Sequence, residues 1–279
     1  VCLVRKQVSK CARNKKVLTC NILGPGRDNE GLGNQLFCVC ATLSLAKDND
    51  DKAVFPELNF YPFKFYGETI FHKLNKDKRD KSFVTALYRE KPYTSTVFEK
   101  IPYTASLCLH GHFQSYKYFE NNEKFIRETI DLPDSMKEKI NKNYNWLYDK
   151  NTVSIHFRRG DYLKLKNHYF QLTEDYYTTA LEKIDDYDTI VIFSDDIEWV
   201  RENSHFLKGE KVFIDSGCDV TDLYLMSKMK NNIIANSTFS WWGAFLNQNK
   251  QKIIVAPQHW FGSDERKTKD LIPSDWIRI

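Results

Sequence analysis

"TVSIHFRRGDY", residues 152–162, passes from a short apolar run into two arginines, a glycine and an aspartate. A β-branched run that is apolar throughout, instead of alternating, is the pattern of a strand covered on both faces, as in a parallel sheet. Four more such runs follow: TIVIFS (189–194), KVFIDS (211–216), NIIAN (232–236) and KIIVAP (252–257). Helical patterns fall around and between them, TEDYYTTALEKI (173–184), IEWVRENS (197–204), DVTDLYLMSKMK (219–230) and STFSWWGAFLNQ (237–248). Five strands alternating with four helices predict a doubly wound α/β domain.

In that architecture ligands bind beyond the carboxyl ends of the strands. The polar clusters HFRRGD, SDD (194–196), DSG (215–217) and NST (236–238) each follow a different strand, so together they describe a cleft. Arg158 and Arg159 are candidate anion ligands, because a guanidinium keeps its charge and its fork of donors matches phosphate oxygens. The alternative partner for either is a carboxylate, Asp161 or one of the paired aspartates. Asn236, Ser237 or Thr238 can cap the helix that follows, and the free amides of that helix can hold a phosphate. Asp195 and Asp196 can bind a metal, hold the edge of a base or ribose, or cap the next helix. His156 shares a strand face with Arg158, beside the anion site. Trp241 and Trp242 read as packing residues between the sheet and a neighbouring domain. Asp186-Tyr187-Asp188 mimics a metal-binding DxD but precedes a strand at the opposite edge, and reads as a polar turn without metal.

The N-terminal half carries a strand pattern in KKVLTCNIL (15–23), a glycine-rich loop, and an apolar helix pattern ending near residue 48. In GLGNQLF (31–37), Gly33 allows close backbone approach, while Asn34 and Gln35 present polar groups at a helix start. This is neither GxGxxG nor a P-loop, which disfavours a dinucleotide dehydrogenase or a nucleotide triphosphatase. Residues 52–150 are aromatic-rich and less legible. The expected division is 1–148 and 149–279.

Among 279 residues, 41 Lys+Arg against 37 Asp+Glu leave a net +4, too little to indicate nucleic-acid binding by bulk charge. No stretch matches a membrane span. The chain begins at Val1, which leaves room for an upstream targeting segment. The seven cysteines show no zinc-finger spacing or disulfide framework; Cys38 and Cys40 read as small buried hydrophobes. A cytoplasmic compartment fits the cysteines, and a Golgi-lumenal one is the alternative.

Taken together, GLGNQLF, HFQSYKYF (112–119), HFRRGDY, FSDDIEW (193–199) and the long NIIANSTFSWWGAFLNQNKQKIIVAPQHWF (232–261) resemble the α-1,2-fucosyltransferases, glycosyltransferase family 11. The resemblance implies two Rossmann-like domains facing a cleft, the GT-B architecture, with an acceptor-side first domain and a donor-binding second. It implies metal-independent, inverting transfer of L-fucose from GDP-fucose to a glycan hydroxyl, O2 of a galactoside. By similarity Arg158 holds the β-phosphate, His156 and one of Asp195 and Asp196 the guanosine, and Ser237 and Thr238 the pyrophosphate. Asn34, with Gly33, approaches phosphate and fucose from the opposite domain. Asp161 is the first candidate for the proton-accepting base, with His168 and Glu174 behind it; orienting Arg158 or Arg159 is its alternative role. Another GDP-sugar as donor, or a non-catalytic GDP- or glycan-binding module, are the competing readings.

Overall fold

The computed structural model describes residues 16–22, 31–77, 81–91, 96–262 and 268–279. Cys2, Cys11 and the glycines of the loop before residue 31 lie outside the described residues.

The chain opens on β1 (Val17–Cys20), whose last three residues are buried, and enters α1 (Leu32–Asp48) at an N-cap glycine, Gly31. β2 (Lys52–Ala53), α2 (Lys64–Glu68), β3 (Ala86–Arg89) and β4 (Leu107–His110) complete a four-stranded parallel sheet of order β2-β1-β4-β3. Only β1 of these is legible as a strand pattern. β2 has two residues, and β3 is an edge strand of alternating partial exposure, so neither shows a continuous apolar run.

Two helices, α3 (Glu123–Thr129) and α4 (Asp134–Tyr144), lead to the second sheet. β5 (Thr152–Phe157) and β6 (Thr189–Ser194) match their predicted runs residue for residue. α5 (Glu174–Leu181), α6 (Ile197–Asn203), β7 (Glu210–Phe213), α7 (Asp219–Lys228), β8 (Asn231–Ile233), α8 (Thr238–Leu246) and β9 (Ile254–Ala256) follow. A sixth strand, β10 (Ile277–Arg278), corrects the expectation of five; at two residues it has no pattern to read. All neighbours are parallel, in the order β10-β9-β8-β5-β6-β7. The chain therefore moves one way from β5 to β7 and returns to the other side of β5 at β8. That reversal makes the gap between β5 and β8 the topological switch point, where such sheets bind ligands.

One hydrophobic cluster runs from the first sheet through α1 into α7 and α8, and a second fills the other face of the second sheet. The joint between the halves is aromatic. Trp241 and Trp242 are both fully buried, with ring centroids 4.6 and 5.1 Å from that of Phe37 in α1. Trp241 Nε1 donates to the Leu271 carbonyl at 2.9 Å, so its polar edge is satisfied as well. α1 is apolar nearly all round because it is covered on nearly every side; Cys38 and Cys40 are buried within it. At Gly33, a Cβ would lie 2.5 Å from the Thr238 carbonyl carbon and 2.6 Å from the Phe239 nitrogen. The first turns of α1 and α8 therefore meet backbone to backbone, and only glycine permits it.

Candidate active site

A cleft of about 470 Å³ opens at the carboxyl ends of β5 to β9 and is closed from the other side by the start of α1. Two helix N-termini face it. The N-cap of α1 is a glycine, and Ser237, the N-cap of α8, makes no side-chain cap bond. The Asn34 amide of α1 donates to the Gly31 carbonyl at 3.0 Å, and no N-cap side chain takes the earlier amides of either helix; both helix dipoles present their positive ends to the same space.

Arg158 lines the same cleft. One guanidinium nitrogen reaches Asp161 Oδ1 at 2.6 Å and the other reaches Asp195 Oδ2 at 3.2 Å. Its Cζ sits 5.1 Å from the centre of the Tyr162 ring, and its Nε is buried without a partner among the described residues. Asp195 also accepts the Arg159 amide at 2.9 Å, so one carboxylate fixes both the loop and the arginine. A Cβ at Gly160 would come within 2.5 Å of the same carboxylate, which explains the glycine. Arg159 turns to the other side of the loop, pairs with Asp196 at 3.2 Å and lies 3.1 Å from the Trp199 ring. Each arginine thus has a carboxylate partner, and of the two only Arg158 lines the cleft.

His156 is 4% exposed. Burial, with the Arg158 charge beside it, pushes its imidazole down to about 3, so it is neutral at working pH. Its Nδ1 is buried without a partner among the described residues. Asn34 bridges the halves: its Oδ1 accepts from Gln114 Nε2 and from Thr238 Oγ1, both at 2.9 Å. With the oxygen so used, Nδ2 remains as the donor toward the cleft. Ser237, Thr238, Asp161 and Gly33 line the same space.

Two expected ligands lie outside it. Asp196 is spent on Arg159. Asn236 is 2% exposed, and its Nδ2 donates to the carbonyls of Phe170 and Trp260 at 2.9 and 2.8 Å. Short polar residues after a strand read alike in sequence whether they face a ligand or pin a loop. Neither caps α6 or α8: Asp196, the N-cap of α6, makes no cap bond with its side chain. The Asp186-Tyr187-Asp188 segment is a loop leading into β6, tied to Asn151 through the Asp188 carboxylate at 3.0 Å and the Asp186 carbonyl at 2.8 Å.

The structure adds residues that pattern reading passed over. Asp222 lines the cleft from the first turns of α7, accepts from Ser216 Oγ at 2.5 Å, and is pushed up to about 6 by burial. Asp219, one turn earlier, accepts from Tyr66 Oη at 2.6 Å, a second polar tie between the halves. Gln114 sits inside the HFQSYKYF motif, where the polar residue in an aromatic run was the available signal.

The model of glycosyl transferase family 11 matches residues 29–279. The chain belongs to that family. Similar curated proteins are the O-antigen biosynthesis glycosyltransferase WbnK of Escherichia coli, 34% identical over 186 residues, and an alpha-1,2-colitosyltransferase of Escherichia coli, 36% identical over 179. These alignments cover 62% and 61% of this chain, and the chain spans 60% and 61% of the two relatives. Among solved structures, the POFUT1 complex with GDP has a TM-score of 0.52 at 12% identity, over 87% of this chain and 98% of that one. NodZ α-1,6-fucosyltransferase soaked with GDP-fucose has a TM-score of 0.51 at 12% identity, over 83% and 92%. These likenesses show that this family-11 chain has the GT-B type of fold. Among its described residues no group of three or more His, Cys, Asp or Glu is placed to hold a metal ion, and no helix is long and apolar enough to cross a membrane.

Proposed function

We propose that the chain is an inverting glycosyltransferase that moves L-fucose from GDP-fucose to O2 of a galactoside without a metal ion. The observation that carries this is Arg158, tethered by two carboxylates in one cleft with two helix N-termini that no N-cap side chain caps. As the bond between fucose C1 and the phosphate oxygen stretches, negative charge builds on the leaving GDP. Arg158 and the α8 amides stabilise that charge where it develops, already oriented and partly shielded from water.

The order of groups along the sheet supports the orientation of the donor. Toward β6 and β7 lie Asp222, on the helix after β7, and the Nδ1 of neutral His156, on β5 opposite Phe193 of β6 and without a partner among the described residues; both suit the donors and acceptors on the edge of a guanine. Over β5 and β8 lie Arg158, Ser237 and Thr238, for the pyrophosphate. Asn34 Nδ2 reaches over from the first half toward phosphate and sugar. Asp161 uses Oδ1 on Arg158, and Oδ2 has no partner among the described residues; we assign that oxygen the proton of the acceptor hydroxyl. The chain is read as two Rossmann-like domains, 1–148 and 149–279, with the donor held on the second. A colitose donor is the second reading, favoured by the 36% identity to an alpha-1,2-colitosyltransferase.

Calorimetric titration with GDP, followed by product analysis with GDP-fucose and GDP-colitose on galactoside acceptors, tests this. A product fucosylated at O2 supports the first reading. Transfer of colitose alone selects the second, and the absence of saturable GDP binding overturns both.

A further inference from the structure

The end of the cleft over β9 is built differently from the rest. The loop after β5 and the loop after β9 are fastened to each other by buried polar side chains. Asn236 Nδ2 donates to both loops, at Phe170 and Trp260. Tyr162 Oη donates back to the Asn236 carbonyl at 3.1 Å, and Gln171 Nε2 donates to the carbonyls of Tyr162 and Tyr169 at 3.2 and 3.0 Å. Tyr169 and Phe261 form an antiparallel bridge, and Gly262 N donates to the His168 carbonyl at 3.0 Å. What these bonds hold in place is aromatic. Tyr162 and Tyr169 stack with centroids 3.7 Å apart and planes 3° from parallel, Phe261 follows Tyr169 at 6.3 Å, and all three line the cleft.

We infer that this aromatic wall is the acceptor subsite, and that a galactopyranoside docks there with its C–H face against Tyr169 and Phe261. This rests on the donor reading above. Inversion requires the acceptor oxygen to reach C1 from the face opposite the leaving phosphate. With the base over β6 and β7 and the pyrophosphate over β5 and β8, the acceptor takes the space beyond the donor sugar, toward β9. A hexose presents one face of C–H bonds and an edge of hydroxyls. Rigid aromatic faces suit the first, at little entropic cost because the loops are already fixed. Asp161 lies on the same loop, three residues after Arg158, and is the carboxylate beside this wall. Asn236 is thereby a positioning residue: it touches no substrate and holds the two loops in register.

The test is steady-state kinetics of Phe261→Ala, Tyr169→Ala, Phe261→Tyr and Tyr169→Phe, varying GDP-fucose and a galactoside separately. GDP affinity by calorimetry is measured on each variant. The alanine variants are expected to raise the acceptor KM by roughly ten-fold while the donor KM and GDP affinity stay within about two-fold, and the aromatic replacements are expected to restore the acceptor KM. An unchanged acceptor KM in alanine variants that bind GDP normally overturns the subsite and leaves the donor reading standing. So does a rise in donor KM alone. A wild-type chain that binds no GDP overturns the donor reading, and the subsite with it.

Discussion

The two sides of the cleft are made of different chemistry. The second sheet contributes every charged side chain found in it, from Arg158, Asp161 and Asp195 to Asp222, whereas the described residues of the first half contribute Gly31, Leu32, Gly33, Asn34 and Gln114. Charges that must not move are anchored to one rigid sheet, with each carboxylate around Arg158 hydrogen-bonded to its loop or guanidinium. The other half brings backbone and neutral amides, which demand no counter-charge. On the function proposed above, the difference gives ground-state binding and charge stabilisation to one side and alignment to the other.

The strongest way to break that division is Arg158→Ala, which is expected to cut kcat about a hundred- to a thousand-fold, the cost of losing one preorganised donor to developing charge. Next is Asp222. Its carboxyl is raised to about 6 from an ordinary value near 3.8, so the fold favours the protonated form: that contribution is complete below pH 4 and is lost as pH rises through 6. Asp222→Asn is therefore expected to be more stable than wild type at pH 8, by at most about 2–3 kcal/mol, with the gain vanishing toward pH 4. Urea melts at the two pH values check this. If the carboxylate holds a base edge, GDP affinity of the wild type also falls as pH drops through 6, and that of the variant stays flat.

Gly33→Ala sharpens the comparison from the neutral side. The added methyl meets the Thr238 and Phe239 backbone, which cannot swing away as a flexible side chain would, and the expected cost is about 1–3 kcal/mol. Thermal melts should show lost stability and GDP titration weaker binding. Gln114→Ala removes a donor to Asn34 Oδ1 and should lower kcat by only a few-fold to ten-fold, with GDP affinity nearly unchanged. The smallest effect belongs to Arg159→Ala. It loses an ion pair with Asp196 and its stack on Trp199, outside the cleft, and turnover should change less than two-fold while stability falls by up to about 1 kcal/mol.

How far each half could be read in advance follows from how it is buried. β5 and β6 are covered on both faces, so their apolar runs and their ends are visible, and with them the loops that carry Arg158 and Asp195. β2, β3 and β10 are two to four residues long or partly exposed, and leave no periodic trace. Within the site, charge and loop position singled out the pair Arg158 and Arg159. They did not separate Arg158 from Arg159, nor Asp195 from Asp196, because adjacent residues leaving a strand diverge by a turn that only the folded loop defines. Asn236 looked like a ligand for the same reason, and its amide is instead consumed by two carbonyls. Asp222 was hidden inside a helix, where a carboxylate ordinarily reads as a solvated face.

The measurement that tests the central claim most directly is acceptor-dependent release of GDP from GDP-fucose in EDTA, on a panel of galactosides, comparing wild type with Arg158→Ala. Full activity of the wild type in EDTA, reduced at least a hundred-fold in the variant while melting temperature holds, is the expected result. Activity that EDTA abolishes and a divalent cation restores, or a variant that turns over like wild type, would contradict the assignment of Arg158 and the helix amides to the charge on the leaving phosphate.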